Sequence, residues 1–211
     1  MTERGMDMDN SGFAELFGDT RLMAILRGMG VERSLAVSTT AWDLGIDVIE
    51  LPIQTSEDLE ALRAVVAAGR ERGKVVGAGT VVSAEHVAQA ASVGAAFTVS
   101  PGLDLEVVRS SHDAGLISLP GVATASEVQS ALSAGLTWMK AFPASVLGPH
   151  WLTAMKAPFP QARFVTTGGM DASNAQQYLD AGAGVVAVGS ALEDPAQLPQ
   201  LAALLGAASP A

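Results

Sequence analysis

A single-domain (β/α)₈ TIM barrel with short loops is the fold that the sequence predicts, and three observations favour it. Eight short apolar segments alternate with longer amphipathic segments along the chain. This alternation is typical of parallel strands joined by helices. No apolar segment precedes the GxGxxG turn of a dinucleotide-binding sheet, which favours the barrel over a doubly wound open sheet. The length of 211 residues lies near the lower limit for such a barrel, so the loops must be short.

The predicted elements follow one another in a regular order. The eight predicted strands are MAILRG (23–28), DVIELPI (47–53), KVVGAGTV (74–81), FTVSPG (97–102), LISLPG (116–121), WMKAFP (138–143), RFVTTGG (163–169) and VVAVGS (185–190). Residues suited to capping a helix start precede or open several of the intervening segments, namely Ser56, Ser83, Asp104, Thr124 and Asp171. Glycines that suit a helix end follow at Gly73, Gly94, Gly115, Gly135 and Gly182.

The chain ends are predicted to lie outside this repeating pattern. Residues 1–20 are expected to be an N-terminal extension, partly disordered, in which a short helix within 10–20 covers the bottom of the barrel. The barrel domain is assigned to residues 21–211, with a frayed tail, GAASPA. Because the start is acidic and lacks the apolar core of a signal peptide, we expect a cytoplasmic protein.

The composition excludes several classes of protein. With 49% hydrophobic and 16% charged residues, the chain is expected to be globular rather than disordered. A net charge of −10 argues against a nucleic-acid partner, and no apolar run approaches the ~18 residues of a membrane helix. There is no cysteine, and His86, His112 and His150 lack the spacing of metal ligands. We therefore expect no metal site.

Two charged residues interrupt apolar strands on the faces that would point into the barrel. Period-two alternation puts Trp138, Lys140 and Phe142 on one face of their strand. The same alternation separates Glu50 from its apolar neighbours Ile49 and Leu51. Burial disfavours the lysine cation and leaves a neutral amine that can attack a carbonyl, with Glu50 as an acid/base. The alternative is a buried structural ion pair, which contributes little net stability.

Further candidates lie at the carboxyl ends of the strands, where barrels build their sites. Arg27 ends the first strand and suits a carboxylate or a phosphate. Thr80 offers a hydroxyl that could orient a carboxylate. Glycine-rich turns follow the last two strands, where barrels commonly bind phosphate through backbone N–H groups, although glycines also serve ordinary turns. These turns contain Gly168, Gly169, Gly189 and Ser190.

Taken in order, these motifs resemble a known family. AILRG, VIELPI, GAGTV, SPG, LPGVATASE, MKAFPAS, TTGG and AVGS resemble the class I aldolases that act on 2-keto-3-deoxy-6-phosphogluconate, its galactonate epimer and 4-hydroxy-2-oxoglutarate. The resemblance runs from about Arg21 to Leu205, and PGVAT followed by K-x-FPAS is its most specific part. It implies the barrel, a homotrimer, and a pyruvate Schiff base formed without a metal or a cofactor.

The resemblance also implies a role for each matching residue. Lys140 would form the Schiff base and Glu50 would be the general acid/base. Thr80 would hold the pyruvyl carboxylate, Pro101 would line that pocket, and Phe142 would pack beside the imine. The remaining matches would contact the substrate or its phosphate, and they are Arg27, Gly168, Gly169, Gly189 and Ser190.

Two positions point to different branches of the family. Phosphogluconate members usually read E-V-T-L-R-T where this chain has residues 50–55, ELPIQT, so an arginine is replaced by Gln54. That change and the E-x-P pattern are nearer the phosphogalactonate branch, whereas Thr167 is nearer the phosphogluconate branch. The preferred epimer is left open by these residues.

The resulting prediction is an aldolase that cleaves a phosphorylated keto-acid to pyruvate and glyceraldehyde 3-phosphate. One alternative is a phosphosugar isomerase or epimerase on the same barrel, in which no imine forms. Another is a non-catalytic phosphometabolite-binding protein that keeps only the phosphate turns. Trapping of an imine on Lys140 would distinguish the aldolase from both.

Overall fold

The structure, a computed structural model, describes residues 8–206, and its elements alternate as the sequence predicts. The strands are β1 (Leu22–Ile25), β2 (Val48–Pro52), β3 (Val75–Gly79), β4 (Phe97–Val99), β5 (Ile117–Leu119), β6 (Gly121–Val122), β7 (Trp138–Ala141), β8 (Arg163–Thr167) and β9 (Val185–Val188). The α-helices are α1 (Gly12–Phe17), α2 (Gly30–Leu44), α3 (Ser56–Glu71), α4 (Ala84–Val93), α5 (Leu105–Asp113), α6 (Ala125–Ser133), α7 (Ala144–Leu147), α8 (Pro149–Lys156), α9 (Ala175–Asp180) and α10 (Leu198–Gly206), with a 3₁₀ turn at Ser190–Glu193.

The strands form one parallel sheet that curls into a barrel. Their order is β5-β4-β3-β2-β1-β9-β8-β7-β6. The two end strands, β5 and β6, follow each other directly in the chain and are separated only by Pro120. Proline has no N–H to donate to a strand ladder, which accounts for the interruption. β5 and β6 together therefore occupy the position of one strand, and the predicted (β/α)₈ barrel is confirmed.

Apolar side chains fill the barrel from the N-terminal end of the strands. Phe13 and Phe17 of α1 are buried and belong to the same cluster as the inward-facing strand residues. The Phe17 ring lies 5.1 Å from that of Trp138, and the Phe13 ring 5.7 Å from that of Phe97, measured between centroids. Helix α1 thus closes the bottom of the barrel and leaves the carboxyl ends of the strands for a site.

Asn10 links β5 to β7, two neighbouring strands that do not pair with each other. Its Nδ2 donates to the carbonyl oxygens of Ser118 at 2.9 Å and Trp138 at 2.8 Å. Its Oδ1 accepts from the amides of Thr137 at 2.9 Å and Trp138 at 3.1 Å. The Asn10 side chain therefore bridges β5 to the start of β7, where these strands do not pair directly.

Helix starts differ slightly from the prediction. Helix α3 is capped by Thr55, which forms a capping box with Asp58, so Ser56 is its first residue. Helix α9 begins after Asn174, and Asp171 instead accepts hydrogen bonds within the preceding turn. Ser83, Asp104 and Thr124 cap their helices as predicted.

Two predictions concern parts of the chain outside the described residues. The disorder expected near the N-terminus falls on residues 1–7, and most of the frayed tail falls on 207–211.

Within 8–206, no helix is long and apolar enough to cross a membrane.

Candidate active site

Glu50 and Lys140 meet inside the barrel although their strands lie on opposite sides of it. Three strands separate β2 from β7 in one direction around the sheet. Lys140 Nζ lies 3.8 Å from Glu50 Oε1, and the two side chains are 4% and 0% exposed. The inward orientation predicted from alternation therefore brings an amine and a carboxylate together in a buried space.

Two glycines on β3 make room for side chains inside the barrel, and one of those side chains is Glu50. A Cβ atom on Gly79 would lie 2.0 Å from Glu50 Oε1, and one on Gly77 would lie 2.3 Å from the Phe97 ring. Real Cβ atoms do not approach other atoms so closely, so neither position accepts a side chain unless its neighbour moves. The GAGT segment predicts only the Thr80 hydroxyl as a site group, whereas in the structure Gly79 leaves the space that the Glu50 carboxylate occupies.

The carboxylate of Glu50 is left free for chemistry. Among residues 8–206, neither of its oxygens has a hydrogen-bond partner. Lys140 Nζ lies 5.2 Å from the centroid of the Phe142 ring, so Phe142 is the aromatic neighbour of the amine. Buried polar groups are normally satisfied, and an unsatisfied carboxylate beside an amine is typical of a site that a ligand completes. The pair can form an imine and move protons.

A cavity of about 590 Å³ opens next to this pair at the carboxyl ends of the strands. Six of the ten predicted site residues line it: Arg27, Phe142, Gly168, Gly169, Gly189 and Ser190. The lining also includes residues that the sequence analysis did not assign to a site, among them Ile25, Met29, Met170, Asp171, Ala187 and Glu193. These residues lie at or after the carboxyl ends of strands β1, β8 and β9, where a barrel site is expected. Their position in the sequence therefore pointed to the site, but their side chains match no catalytic or binding motif.

The other predicted binding residues lie outside this cavity. Thr80 follows β3 and is partly buried, with a φ of 57° that is uncommon for a residue with a side chain. Pro101 follows β4 and is exposed. Both follow the carboxyl ends of their strands, and neither lines the cavity.

Arg27 reaches across to the position where the sequence departs from the phosphogluconate pattern. Its Nη1 donates to Oε1 of Gln54 at 3.1 Å, and both residues are exposed. The backbone amide of Gln54 donates in turn to Asp58, at the start of α3. Gln54 thus contacts the guanidinium that was expected to bind the substrate.

The turn after β8 has the geometry of an anion site. Gly168 and Gly169 have φ values of 97° and 77°, which suit glycine. A Cβ atom on Gly169 would lie 2.7 Å from the Ser145 side chain. Among residues 8–206, the N–H groups of Gly168, Gly169 and Gly189 have no acceptor. These amides are available to an anion in the cavity.

Two carboxylates also line the cavity. The Ser173 hydroxyl, together with the amides of Ser173 and Asn174, lowers the pKa of Asp171 and keeps it ionised. Glu193 forms an ion pair with Arg33 of α2. The charge of Glu193 is therefore balanced from outside the cavity, and that of Asp171 is stabilised by hydrogen bonds.

One hydroxyl in the lining is unpaired. Thr167 Oγ1 is buried and has no hydrogen-bond partner among the described residues. A buried hydroxyl without a partner is costly unless a ligand satisfies it.

No group of three or more His, Cys, Asp or Glu residues within 8–206 is arranged to hold a metal ion.

Comparison with known proteins agrees with this geometry. The family model for KDPG and KHG aldolase matches residues 14–203. The chain is 36% identical over 172 residues to the 2-dehydro-3-deoxy-6-phosphogalactonate aldolase of Escherichia coli, covering 81% of this chain and 83% of that protein.

Solved structures similar to this chain are also aldolases of this kind. A 4-hydroxy-2-oxoglutarate/2-dehydro-3-deoxyphosphogluconate aldolase is 34% identical, has a TM-score of 0.81, and covers 91% of this chain and 98% of its own. The KDPG aldolase of Legionella pneumophila, 27% identical, has a TM-score of 0.77 and covers 92% of this chain and 97% of its own. Its crystal structure holds pyruvate captured as a covalent carbinolamine.

Proposed function

The chain belongs to the KDPG and KHG aldolase family and is a class I aldolase, and we propose that it cleaves a 2-keto-3-deoxy-6-phospho sugar acid to pyruvate and glyceraldehyde 3-phosphate. The observation that carries this proposal is the buried amine of Lys140, 3.8 Å from the Glu50 carboxylate, which has no hydrogen-bond partner among residues 8–206. The cavity beside them has room and hydrogen-bond donors for a phosphorylated chain.

In the proposed mechanism, the neutral amine of Lys140 attacks the C2 ketone and water leaves to give an iminium. Glu50 assists these proton transfers and then takes the proton of the C4 hydroxyl. The C3–C4 bond breaks, its electrons flow into the iminium, and glyceraldehyde 3-phosphate departs. Glu50 returns the proton to C3 of the enamine, and water hydrolyses the resulting iminium to pyruvate and free Lys140.

The substrate is held at both ends in this proposal. Thr80 and Arg27 would bind the keto-acid carboxylate, Pro101 would line that end, and Phe142 would pack beside the imine. The phosphate would lie on the two glycine turns, which comprise Gly168, Gly169, Gly189 and Ser190. The free amides of those turns support this assignment, and the chemistry of Lys140 and Glu50 requires neither a metal nor a cofactor.

The candidates that set the preferred epimer are the two positions at which the branches of the family differ. Thr167 offers a buried, unpaired hydroxyl, while Gln54 occupies the position of the phosphogluconate arginine. Steady-state kcat/KM with the gluconate and galactonate epimers would rank the two substrates.

We further propose that the aldolase is a cytoplasmic homotrimer. Val82 and Val146 are 51% and 79% exposed, which is unusual for large apolar side chains and suits residues covered by another copy. Sedimentation velocity should give about three times the 21.5 kDa chain mass. A monomer at micromolar concentration would contradict the trimer and leave the aldolase assignment intact.

The decisive experiment is borohydride reduction in the presence of pyruvate, followed by peptide mass spectrometry. We expect a stable adduct on Lys140 that is absent from a Lys140→Met variant with a normal melting curve. A folded wild-type protein that forms no adduct with pyruvate or with the intact keto-acid would contradict the imine mechanism and favour the isomerase or binding-protein alternatives.

Glu50 is tested separately with Glu50→Gln. We expect a loss of ~10²-fold or more in kcat because an acid/base group is removed. A loss below threefold in the folded variant would contradict the role of Glu50.

A further inference from the structure

Two residues outside the cavity donate hydrogen bonds to the carbonyls of the glycine turn after β8. The carbonyl oxygen of Gly168 accepts a hydrogen bond from the amide of Ser145 at 3.0 Å. The carbonyl oxygen of Gly169 accepts one from Nδ2 of Asn174 at 2.8 Å. Gly168 and Gly169 line the cavity, whereas Ser145 and Asn174 do not. Both carbonyls are therefore directed away from the cavity.

Fixing a carbonyl also fixes the amide in the same peptide plane. In a planar trans peptide, the C=O and N–H bonds point in opposite directions. The carbonyl of Gly168 shares its plane with the amide of Gly169, and the carbonyl of Gly169 shares its plane with the amide of Met170. Met170 lines the cavity, and among residues 8–206 its N–H donates to no acceptor.

We propose that Asn174 is a positioning residue that turns the amide of Met170 towards the substrate phosphate. This inference rests on the proposed function, since it takes the phosphate to lie on this turn. The Met170 amide would be a further donor to the phosphate beside those of the glycines. Asn174 does not line the cavity and would act only by orienting this amide.

The orientation of the Asn174 side chain is itself determined. Its Oδ1 accepts from the amide of Asp171 at 3.1 Å, which leaves Nδ2 as the donor to Gly169. The backbone amide of Asn174 also donates to the Asp171 carboxylate at 3.2 Å. Asn174 is therefore held at three points, and its Nδ2 cannot turn away from Gly169 without breaking one of them.

The charges around the cavity make each amide donor important. Among the described residues that line it, Arg27 is the only cation, and it donates to Gln54. Asp171 contributes a negative charge that opposes anion binding, while the charge of Glu193 is balanced by Arg33. A phosphate at this end depends on backbone N–H groups, and hydrogen bonds to a charged group are about twice as strong as neutral ones.

The experiment compares a phosphorylated with an unphosphorylated aldehyde in the direction of synthesis from pyruvate. For Asn174→Ala, we expect kcat/KM with glyceraldehyde 3-phosphate to fall about tenfold, mainly through KM, a loss typical of one hydrogen bond to a charged group. With glyceraldehyde, kcat/KM should stay within twofold, as should borohydride trapping of pyruvate on Lys140.

Two further variants separate positioning from folding. Asn174→Asp keeps the acceptor for the Asp171 amide and loses the donor to Gly169, so it should reproduce the selective loss even if the alanine variant fails to fold. Because the aspartate also adds a negative charge, its loss relative to the wild type is compared at low salt and at 1 M salt, where charge repulsion is screened. A loss that disappears at 1 M salt would be due to the added charge and would count against positioning. Ser173→Ala is the matched control, because Ser173 bonds to Asp171 in the same turn but to neither glycine carbonyl. Asp171 stays ionised at neutral pH without this bond, since an ordinary aspartate is already ionised there. The kinetics of Ser173→Ala should match those of the wild type.

Equal losses with both aldehydes, or no loss with glyceraldehyde 3-phosphate, would overturn the role of Asn174. Failure of the proposed function would appear differently, as a wild-type protein without a pyruvate adduct. In that case, calorimetric binding of inorganic phosphate tests the turn directly. Weaker binding by Asn174→Ala than by Ser173→Ala would support the positioning role, and equal binding would overturn it.

Discussion

At the scale of single residues, the position of the Glu50 carboxylate depends on residue 79 being a glycine. The Glu50 carboxylate occupies the space that a methyl group on residue 79 would fill, at 2.0 Å from the Cβ position. Because the φ of Gly79 lies outside the left-handed region, an alanine there is compatible with the backbone and acts only by contact with Glu50.

The prediction for Gly79→Ala is therefore a loss of catalysis by displacement of Glu50. A shift of about 1 Å in a reacting group can cost ~10²-fold in rate, and we expect kcat/KM to fall by that order while the variant stays folded. Gly102→Ala is the matched control, since a Cβ atom there meets nothing within 4 Å. Activity of Gly79→Ala within threefold of the control would show that Glu50 need not occupy this position.

The sequence predicted residues whose chemistry contrasts with their strand. Lys140 and Glu50 stand out because period-two alternation places a charge on an inward face, and the structure brings them together. The contact between the Glu50 carboxylate and Gly79 depends on strand register, because Glu50 pairs with Gly77 while its side chain reaches Gly79. The link from Asn174 to Gly169 depends on the shape of a turn. Neither follows from residue type, so both required the structure.

At the scale of elements, helix α6 carries a pH-sensitive start. Glu127 accepts hydrogen bonds at Oε2 from the amides of Ala123 and Thr124, each at 2.9 Å, and from the Thr124 hydroxyl at 2.8 Å. The bond from the Ala123 amide is the largest cause that lowers the pKa of Glu127 below its ordinary value of 4.5. A lowered folded-state pKa means that ionised Glu127 stabilises the fold above pH 4.5, and that this stabilisation is lost as the pH falls through the lowered value.

Glu127→Gln should consequently be less stable than the wild type at pH 7, by about 1 kcal/mol or less, as for other helix-capping changes. The difference should shrink as the pH falls below 4.5, because protonated Glu127 loses the same advantage. Urea unfolding at pH 7, 5 and 4 measures it, and Glu60→Gln on the exposed face of α3 provides the control. A difference that is constant with pH would contradict an ionic contribution from Glu127.

The elements themselves were largely predictable, and the exception has a local cause. Each of the eight predicted apolar segments contains a strand, because burial on both faces of a parallel strand produces a continuous apolar run. LISLPG was predicted as one strand and forms β5 and β6, since Pro120 breaks the ladder between them. The proline was visible in the sequence, but which of its neighbours would pair with β7 was not.

At the scale of the whole molecule, Asn10 links parts of the chain that no local pattern connects. Its partners Ser118 and Trp138 lie 108 and 128 residues away in the sequence. Asn10 was predicted only as part of a helical extension under the barrel, and its four hydrogen bonds link β5 and β7 where these strands do not pair.

Asn10→Ala should therefore destabilise the barrel without disturbing the chemistry at its opposite end. Removing the side chain leaves two buried carbonyls and two amides without their partner, and each such group costs about 1–3 kcal/mol unless water replaces it. We expect a fall of roughly 3 kcal/mol in the free energy of unfolding, measured in urea. Ser11→Ala is the control, since the Ser11 hydroxyl is exposed and bonds only to Asp9. Below the melting temperature, the rate of pyruvate trapping on Lys140 should be unchanged in Asn10→Ala. Slower trapping by a folded variant would mean that closure of the barrel at its base also sets the position of Lys140 on β7.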